Sequence, residues 1–132
     1  MILVDSNIWI DLIQRDPDWV EWSLSHVQIA RAASAVCINP VIYAELAPNY
    51  DSAADLDRFL NAANAAYQPI SPKASYLAGR AFLKYRGAPG RKSGVLPDFF
   101  IGAQAQAEGW TILTRDKGRY KTYFPSVKLI CP

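Results

Sequence analysis

Met1-Ile2-Leu3-Val4-Asp5-Ser6-Asn7-Ile8-Trp9 decides the fold. An apolar run without alternation, closed by an acid, reads as a strand buried on both faces, the pattern of a parallel sheet. Ser6 and Asn7 are helix N-cap types, and Ile8, Trp9, Leu12 and Ile13 follow at helical spacing. A short buried strand therefore feeds a helix, with Asp5 at the join. The same unit recurs along the chain. Pro17 suits a first helical position and predicts a second helix to about Ala33, followed by a strand over Ala35 to Ile38. Asn39-Pro40 opens a helix carrying Val41, Ile42, Glu45 and Leu46, which Pro48-Asn49 breaks. Asp51-Ser52 starts a further helix with Leu56, Phe59 and Leu60 on one face. Tyr67 to Ile70 is a weak third strand, and Ser71-Pro72 caps a long helix bearing Leu77, Ala78, Ala81, Phe82 and Tyr85. The stretch 87–94 reads as loop, Pro97 begins a helix that Gly109 ends, and strands follow over Trp110 to Leu113 and Val127 to Ile130. Strands alternating with helices predict an α/β fold: a three-layer α/β/α sandwich around a central, mostly parallel five-stranded sheet. No repeat or long linker divides the chain, so residues 1–132 are expected to form a single domain.

The bulk composition excludes more than it assigns. With 51% apolar and 20% charged residues the chain has the makeup of a globular domain. A formal net charge of +2 argues neither for nor against a polyanionic partner. Cys37 and Cys131 are the only cysteines, each in an apolar run and without zinc spacing, so they read as free thiols. His26 is the only histidine, which excludes a histidine-rich metal site. Ser-His-Asp or Cys-His catalysis would depend on that one mid-helix residue, among Trp22, Val27 and Ile29, where packing is the expected role. No basic-then-apolar leader precedes the first strand and no apolar run is long enough to span a bilayer, so a cytoplasmic protein is expected.

In an open α/β sheet, ligands bind outside the carboxyl ends of the strands. Asp5 ends the first strand, and Asp116 follows the fourth in Leu113-Thr114-Arg115-Asp116. Glu45 lies in the helix after the second strand, and Asp98 in the first turn of the helix that feeds the fourth. All four can point into one crevice. Asp11 and the other acids fall on helix faces or helix starts, where solvation accounts for them. Taken singly, each of the four also has a plain structural role: Asp5 as a cap, Asp98 beside a helix N-terminus, Asp116 in a turn. Their convergence carries the weight. Clustered carboxylates repel unless protonated or neutralised by a cation, and an oxygen-only set suits Mg²⁺ or Mn²⁺. Such a cation activates water and stabilises an in-line phosphoryl transition state.

The set Val4-Asp5-Ser6-Asn7, Glu45 after Pro40, Pro97-Asp98 opening an Ala-rich helix, and Leu113-Thr114-Arg115-Asp116 resembles the PIN-domain family, and more narrowly the VapC-type toxins of toxin–antitoxin pairs. The resemblance spans nearly the whole chain, and its specificity comes from the set rather than any member. It implies a PIN-like sandwich and a Mg²⁺- or Mn²⁺-dependent endoribonuclease acting on structured RNA such as tRNA or rRNA, leaving 5′-phosphate and 3′-hydroxyl ends. It also implies a homodimer silenced by a small antitoxin whose C-terminal segment covers the active site. The family's acidic quartet falls on Asp5, Glu45, Asp98 and Asp116, as catalytic residues and metal ligands, with Ser6 and Thr114 as hydroxyl-bearing companions that contact substrate or the metal's water.

Basic residues cluster beside the proposed crevice: Lys84, Arg86, Arg91 and Lys92 before Asp98, and Arg115, Lys117, Arg119 and Lys121 around Asp116, with Tyr120 and Tyr123 interleaved. Cations there hold phosphates and tyrosines stack on unpaired bases. The expected substrate contacts are Ser6 and Thr114, as the resemblance implies, with Asn7 beside Ser6, and the basic residues Arg115, Arg91, Lys92 and Lys117. Trp9, Trp19 and Trp22 are expected to form an antitoxin groove, tryptophan being enriched at interface hot spots, although core packing explains Trp9 at least as well. Three other readings compete. A phosphoacceptor receiver domain wants adjacent acids after strand one and a lysine ending strand five, where this chain has Ser6-Asn7 and Ile130-Cys131. A haloacid-dehalogenase-type phosphatase wants Asp-x-Asp, and Asn7 occupies the third position. A non-catalytic RNA- or protein-binding domain that kept the fold is opposed only by the complete quartet.

Overall fold

A computed structural model describes residues 1–89 and 95–132. Strand β1 (Ile2–Val4) leads into α1 (Ser6–Ile13) and α2 (Val20–Ala33). β2 (Val36–Ile38) is followed by α3 (Pro40–Leu46), a short 3₁₀ turn and α4 (Ala53–Ala62). β3 (Ala66–Tyr67) precedes α5 (Pro72–Arg86) and α6 (Leu96–Glu108). β4 (Thr111–Leu113), α7 (Gly118–Tyr123) and β5 (Leu129–Ile130) complete the order. Among the described residues the strands form one sheet in the order β3-β2-β1-β4-β5, every pair parallel, with helices on both faces.

β1 lies at the centre, with Leu3 opposite Cys37 on one side and Ile112 on the other. Leu3, Val4, Cys37, Ile38, Ile112 and Leu113 are wholly shielded from solvent, the burial on both faces that the unbroken apolar runs imply. The chain builds outward from β1 to β3, then returns to place β4 on the opposite side. The order therefore reverses between β1 and β4, and that switch point opens a crevice at their carboxyl ends.

Local chemistry sets the helix boundaries. Asn39, Ser52 and Ser71 each accept a backbone N–H with the side chain at a helix start. Gly109 ends α6 at φ +70°, where a side chain is strained. Several expected edges move. α2 begins at Val20 rather than Pro17, because Asp16 Oδ1 accepts from the N–H groups of Asp18 and Trp19 and folds those residues into a turn. β3 is the pair Ala66–Tyr67 with Gln68 N–H still bonded to Ile38, since Pro69 has no N–H to continue the ladder. β5 starts late because Val127 N–H turns back to the Phe124 carbonyl. Helix α7 was not foreseen in the sequence. It is held by an aromatic cluster in which Phe99 packs 5.2 Å from Tyr123, 5.4 Å from Tyr85 and 6.0 Å from Phe124, centroid to centroid.

Among the described residues no helix is long and apolar enough to cross a membrane. Cys37 is buried in β2, which raises its thiol to about 12, and Cys131 lies just past β5; both are free.

Candidate active site

Asp5 sits where β1 ends and α1 begins, at the topological switch, and is almost wholly buried. A carboxylate so placed must collect hydrogen bonds. Its Oδ1 accepts from the Ser6 N–H at 2.7 Å, and Ser6 Oγ lies 3.3 Å away. Its Oδ2 accepts from Thr114 Oγ1 at 2.8 Å, from the Tyr120 hydroxyl at 2.9 Å and from Asn7 Nδ2 at 3.4 Å. Burial raises the Asp5 pKa and the charge of Asp98 adds to the rise, while the bonds from Thr114, Tyr120 and Ser6 oppose it. Tyr120 is in turn pushed well above its ordinary value, first by burial and then by the charges of Asp5 and Asp98, so its hydroxyl stays a donor.

The other acids come from separate elements. Glu45 on α3 reaches the pocket through Ser6, whose Oγ lies 2.9 Å from Glu45 Oε1. Its pKa is raised by burial and then by the charges of Asp5 and Asp98, against the Ser6 hydrogen bond. Asp98 in the first turn of α6 forms an ion pair with Arg119 of α7. Burial raises Asp98 as well, the Arg119 guanidinium pulls it back, and the charge of Asp116 pushes it further up. Asp116 is exposed at the rim, where its N–H donates to Thr114 Oγ1 at 3.0 Å and its Oδ1 accepts from Gly118 N–H at 3.2 Å. Asp5, Glu45 and Asp98 thus feel one another's charge, and Asp98 feels that of Asp116. Among the described residues no three of them close into a ready-made metal cage.

A buried amide bridge aligns two of the helices. Asn39 Nδ2 donates to Gln104 Oε1 at 2.9 Å and Gln104 Nε2 donates to the Pro69 carbonyl at 2.9 Å, tying the start of α3 to α6. That joins the helix of Glu45 to the helix of Asp98.

Several expected contacts take other roles. Thr114 is fully buried, so its hydroxyl serves Asp5 instead of facing a substrate. Asn7 is spent on Asp5, on Thr114 at 3.2 Å and on the Arg115 N–H at 3.2 Å. Arg115 is not a free phosphate binder: its guanidinium grips Asp11 through two bonds of 2.8 and 2.9 Å and lies 4.8 Å over the Trp19 ring. Asp11 is correspondingly not a solvated helix-face acid but a buried one, which also accepts from Ser23 Oγ at 2.6 Å. Tyr120 is buried, and Tyr123 packs on Phe99 and Tyr85, so neither ring is free to stack on a base. Trp9 is wholly buried with Nε1 donating to the Val4 carbonyl at 3.1 Å, which makes it a core residue and not a contact surface. Trp19 and Trp22 are half-buried, edge to face at 6.0 Å, and Trp22 stacks on His26 at 3.9 Å. Lys117 is exposed on the rim with Nζ 3.4 Å from the Pro132 carbonyl. Arg91 and Lys92 lie outside the described residues.

Arg119 and Tyr120, expected beside the crevice as phosphate and base contacts, are instead tied to Asp98 and Asp5, and the scaffold role of Asp11 is not legible in the sequence. A signal for the first two exists: Tyr120, Tyr123 and Phe124 have the i, i+3, i+4 spacing of a helix face, which turns Tyr120 inward.

A parallel sheet with its switch point lined by acids from β1, α3, α6 and the β4 loop defines an acidic-pocket α/β domain. The PIN domain family model matches residues 2–125, and the chain belongs to this family. Among curated proteins nothing matches. Solved structures do. VapBC2 from Rickettsia felis bound to a DNA fragment from its promoter is 21% identical with a TM-score of 0.75, covering 100% of this chain and 99% of that one. FitAcB from Neisseria gonorrhoeae is 18% identical at a TM-score of 0.69, covering 98% and 96%. VapBC-1 from nontypeable Haemophilus influenzae is 17% identical at 0.70, covering 99% and 98%. At these identities the likeness is one of fold.

Proposed function

We propose that this chain is a divalent-metal-dependent endoribonuclease, the toxin of a toxin–antitoxin pair, acting on structured RNA such as tRNA or rRNA. The observation that carries the reading is Asp5: a nearly buried carboxylate at the switch point, held by several donors and surrounded by further acids whose affinity for protons is raised. A pocket built to keep such groups together has a cation as its natural occupant. The donors are all oxygens. This fits Mg²⁺ or Mn²⁺, which take one or two carboxylates and keep several waters. Asp5, Glu45, Asp98 and Asp116 are the residues that would hold the ion. When bound, it supplies activation of water and charge stabilisation at the scissile phosphate.

The chain's own residues do the rest. Ser6, Thr114 and Tyr120 fix the Asp5 carboxylate, so no reorganisation is needed at the moment of reaction. Ser6 ties Glu45 to the same point. Lys117 and Lys121, exposed and near Asp116 in the sequence, would hold the RNA backbone; the sequence suggests the same role for Arg91 and Lys92, which lie outside the described residues. An antitoxin segment has a seat in an apolar cleft of about 470 Å³ between α1, α2 and α4, lined by Leu12, Val20, Leu24, Val27 and Phe59 with Trp9 beneath. Trp19 and Trp22 do not line that cleft: the helical spacing sets Trp22 on the face of α2 away from Val20, Leu24 and Val27. The VapBC names of the structural neighbours support a partnered toxin, and a homodimer in the cytoplasm belongs to the same proposal.

The test is cleavage of total tRNA and rRNA by partner-free protein in Mg²⁺, Mn²⁺ or EDTA, with Asp5→Asn alongside. Discrete metal-dependent fragments that vanish in the variant are expected. Fragments that persist in EDTA or with Asp5→Asn overturn the reading. Gel filtration of the same preparation checks the dimer.

A further inference from the structure

Helix α7 brings two consecutive side chains to the acidic pocket. Tyr120 points inward and anchors on Asp5, while Arg119 crosses to α6 and forms an ion pair with Asp98. The Arg119 guanidinium also lies 5.6 Å from the centroid of the Tyr85 ring, which covers one of its faces. Its side chain is only 18% exposed and that of Asp98 only 29%, so the pair is shielded on most sides. Among the described residues it is the one ion pair that any of the four pocket acids makes; Arg115 is committed to Asp11.

We propose that Arg119 is the pocket's resident counter-cation: it holds Asp98 in the metal-free protein, and must release it for a divalent ion to bind there. This rests on the metal-dependent reading above. The physical reason is that a guanidinium fork and a divalent ion seek the same carboxylate oxygens and repel each other across them. Arg119 is therefore a positioning residue that acts through Asp98. It keeps the acids from splaying apart when no metal is present, and it sets a threshold of free cation below which the pocket stays closed to it. The covering Tyr85 ring and the anchor at Tyr120 keep the guanidinium near enough to return.

Calorimetric titration of Mn²⁺ into metal-free wild type, Arg119→Gln and Lys121→Gln tests this. Arg119→Gln is expected to bind Mn²⁺ roughly three- to tenfold more tightly, the size of a partly shielded ion pair removed from competition. Lys121→Gln removes the same charge two residues away without a contact to Asp98 and should stay within about twofold, since exposed charges are screened. In wild type, the Arg119 side-chain Nε–H resonance should move when Mg²⁺ saturates the site, a readout that needs no folded variant. An unchanged or weaker Mn²⁺ affinity in Arg119→Gln, an equal gain in Lys121→Gln, or an Nε–H signal indifferent to saturating Mg²⁺ overturns the proposal and leaves the nuclease reading standing. If wild type binds no Mn²⁺ at the pocket, with Asp98→Asn indistinguishable from it, both fall together.

Discussion

Asp11→Ala should be among the most damaging single changes outside the sheet. The carboxylate is 2% exposed and accepts three bonds, two from Arg115 at 2.8 and 2.9 Å and one from Ser23 at 2.6 Å. Removing one partner of a buried pair costs about 3–5 kcal/mol, because a charge is left without compensation. Arg115 is 28% exposed and can partly rehydrate, which favours the lower end of that range. The Ser23 hydroxyl cannot, and an orphaned buried donor adds about 1 kcal/mol. The expected loss is therefore about 3–4 kcal/mol, a large share of the ~5–15 kcal/mol that holds a domain together. Arg115→Ala should cost about as much, since it strands a carboxylate that cannot reach water and removes the contact over Trp19. The double variant should recover about 2 kcal/mol of the summed loss, within the range measured for residues in direct contact. Urea unfolding at constant m-value reads all three changes. Single variants each within 1 kcal/mol of wild type, with a strictly additive double, would show that this pair does not clamp the β4 loop to α1 and that Arg115 is available for substrate after all.

Other expectations follow from the same contacts. Asp5, Glu45 and Asp98 are all raised above their unfolded values, so the folded state holds protons that the unfolded chain gives up. Their stabilisation is present below about pH 4 and is lost as pH rises through the raised values. Thermal midpoints measured in EDTA should therefore carry a falling contribution toward neutral pH that is smaller in Asp98→Asn; a steeper fall in that variant contradicts the sign. Gly102→Ala puts a Cβ 2.3 Å from the Phe124 ring, and overpacking of this kind should cost about 1–3 kcal/mol by chemical denaturation. Tyr120→Phe removes a 2.9 Å donor from Asp5 and should cost about 1–2 kcal/mol; since that bond favours the charged form, carboxyl NMR should find the Asp5 pKa higher still, and an unmoved or lower value would refute the role.

What the sequence discloses is what local spacing determines. The runs at 2–4, 36–38 and 111–113 are unbroken and apolar because both faces of the sheet are covered, so strands and fold class are legible without tertiary knowledge. Asp5, Asp98 and Asp116 are legible for a related reason, since each sits just past the carboxyl end of a strand or in the first turn of a helix next to one; Glu45, near the end of the short helix after β2, is legible as an acid among apolar neighbours. The exceptions are side chains whose partner is chosen by the fold. Asp11 and Arg115 are 104 residues apart, and nothing local distinguishes Asp11 from the exposed Asp18. The sequence suggests Thr114 as a substrate contact, whereas its burial, and hence its hydrogen bond to Asp5, depends on how β4 lies against β1.

Helix α7 is the sharpest case, because the information that places it lies elsewhere in the chain. It has six residues and no side-chain cap at its start, so it carries none of the usual punctuation. Its seat is a notch on α6, where Gly102 leaves room for the Phe124 ring that any larger residue would fill. Seating Phe124 there, with Tyr123 against Phe99 and Tyr85, orients the short helix so that Tyr120 meets Asp5 and Arg119 meets Asp98. A glycine in an Ala-rich helix, with nothing local to require it, is thus tied to the electrostatics of a pocket on the neighbouring strand ends. On this reading Gly102→Ala should disturb the pocket as well as the core: it should loosen the Arg119–Asp98 pair and tighten Mn²⁺ binding in the same direction as Arg119→Gln. A variant that loses stability while keeping wild-type Mn²⁺ affinity would separate the two and refute that coupling.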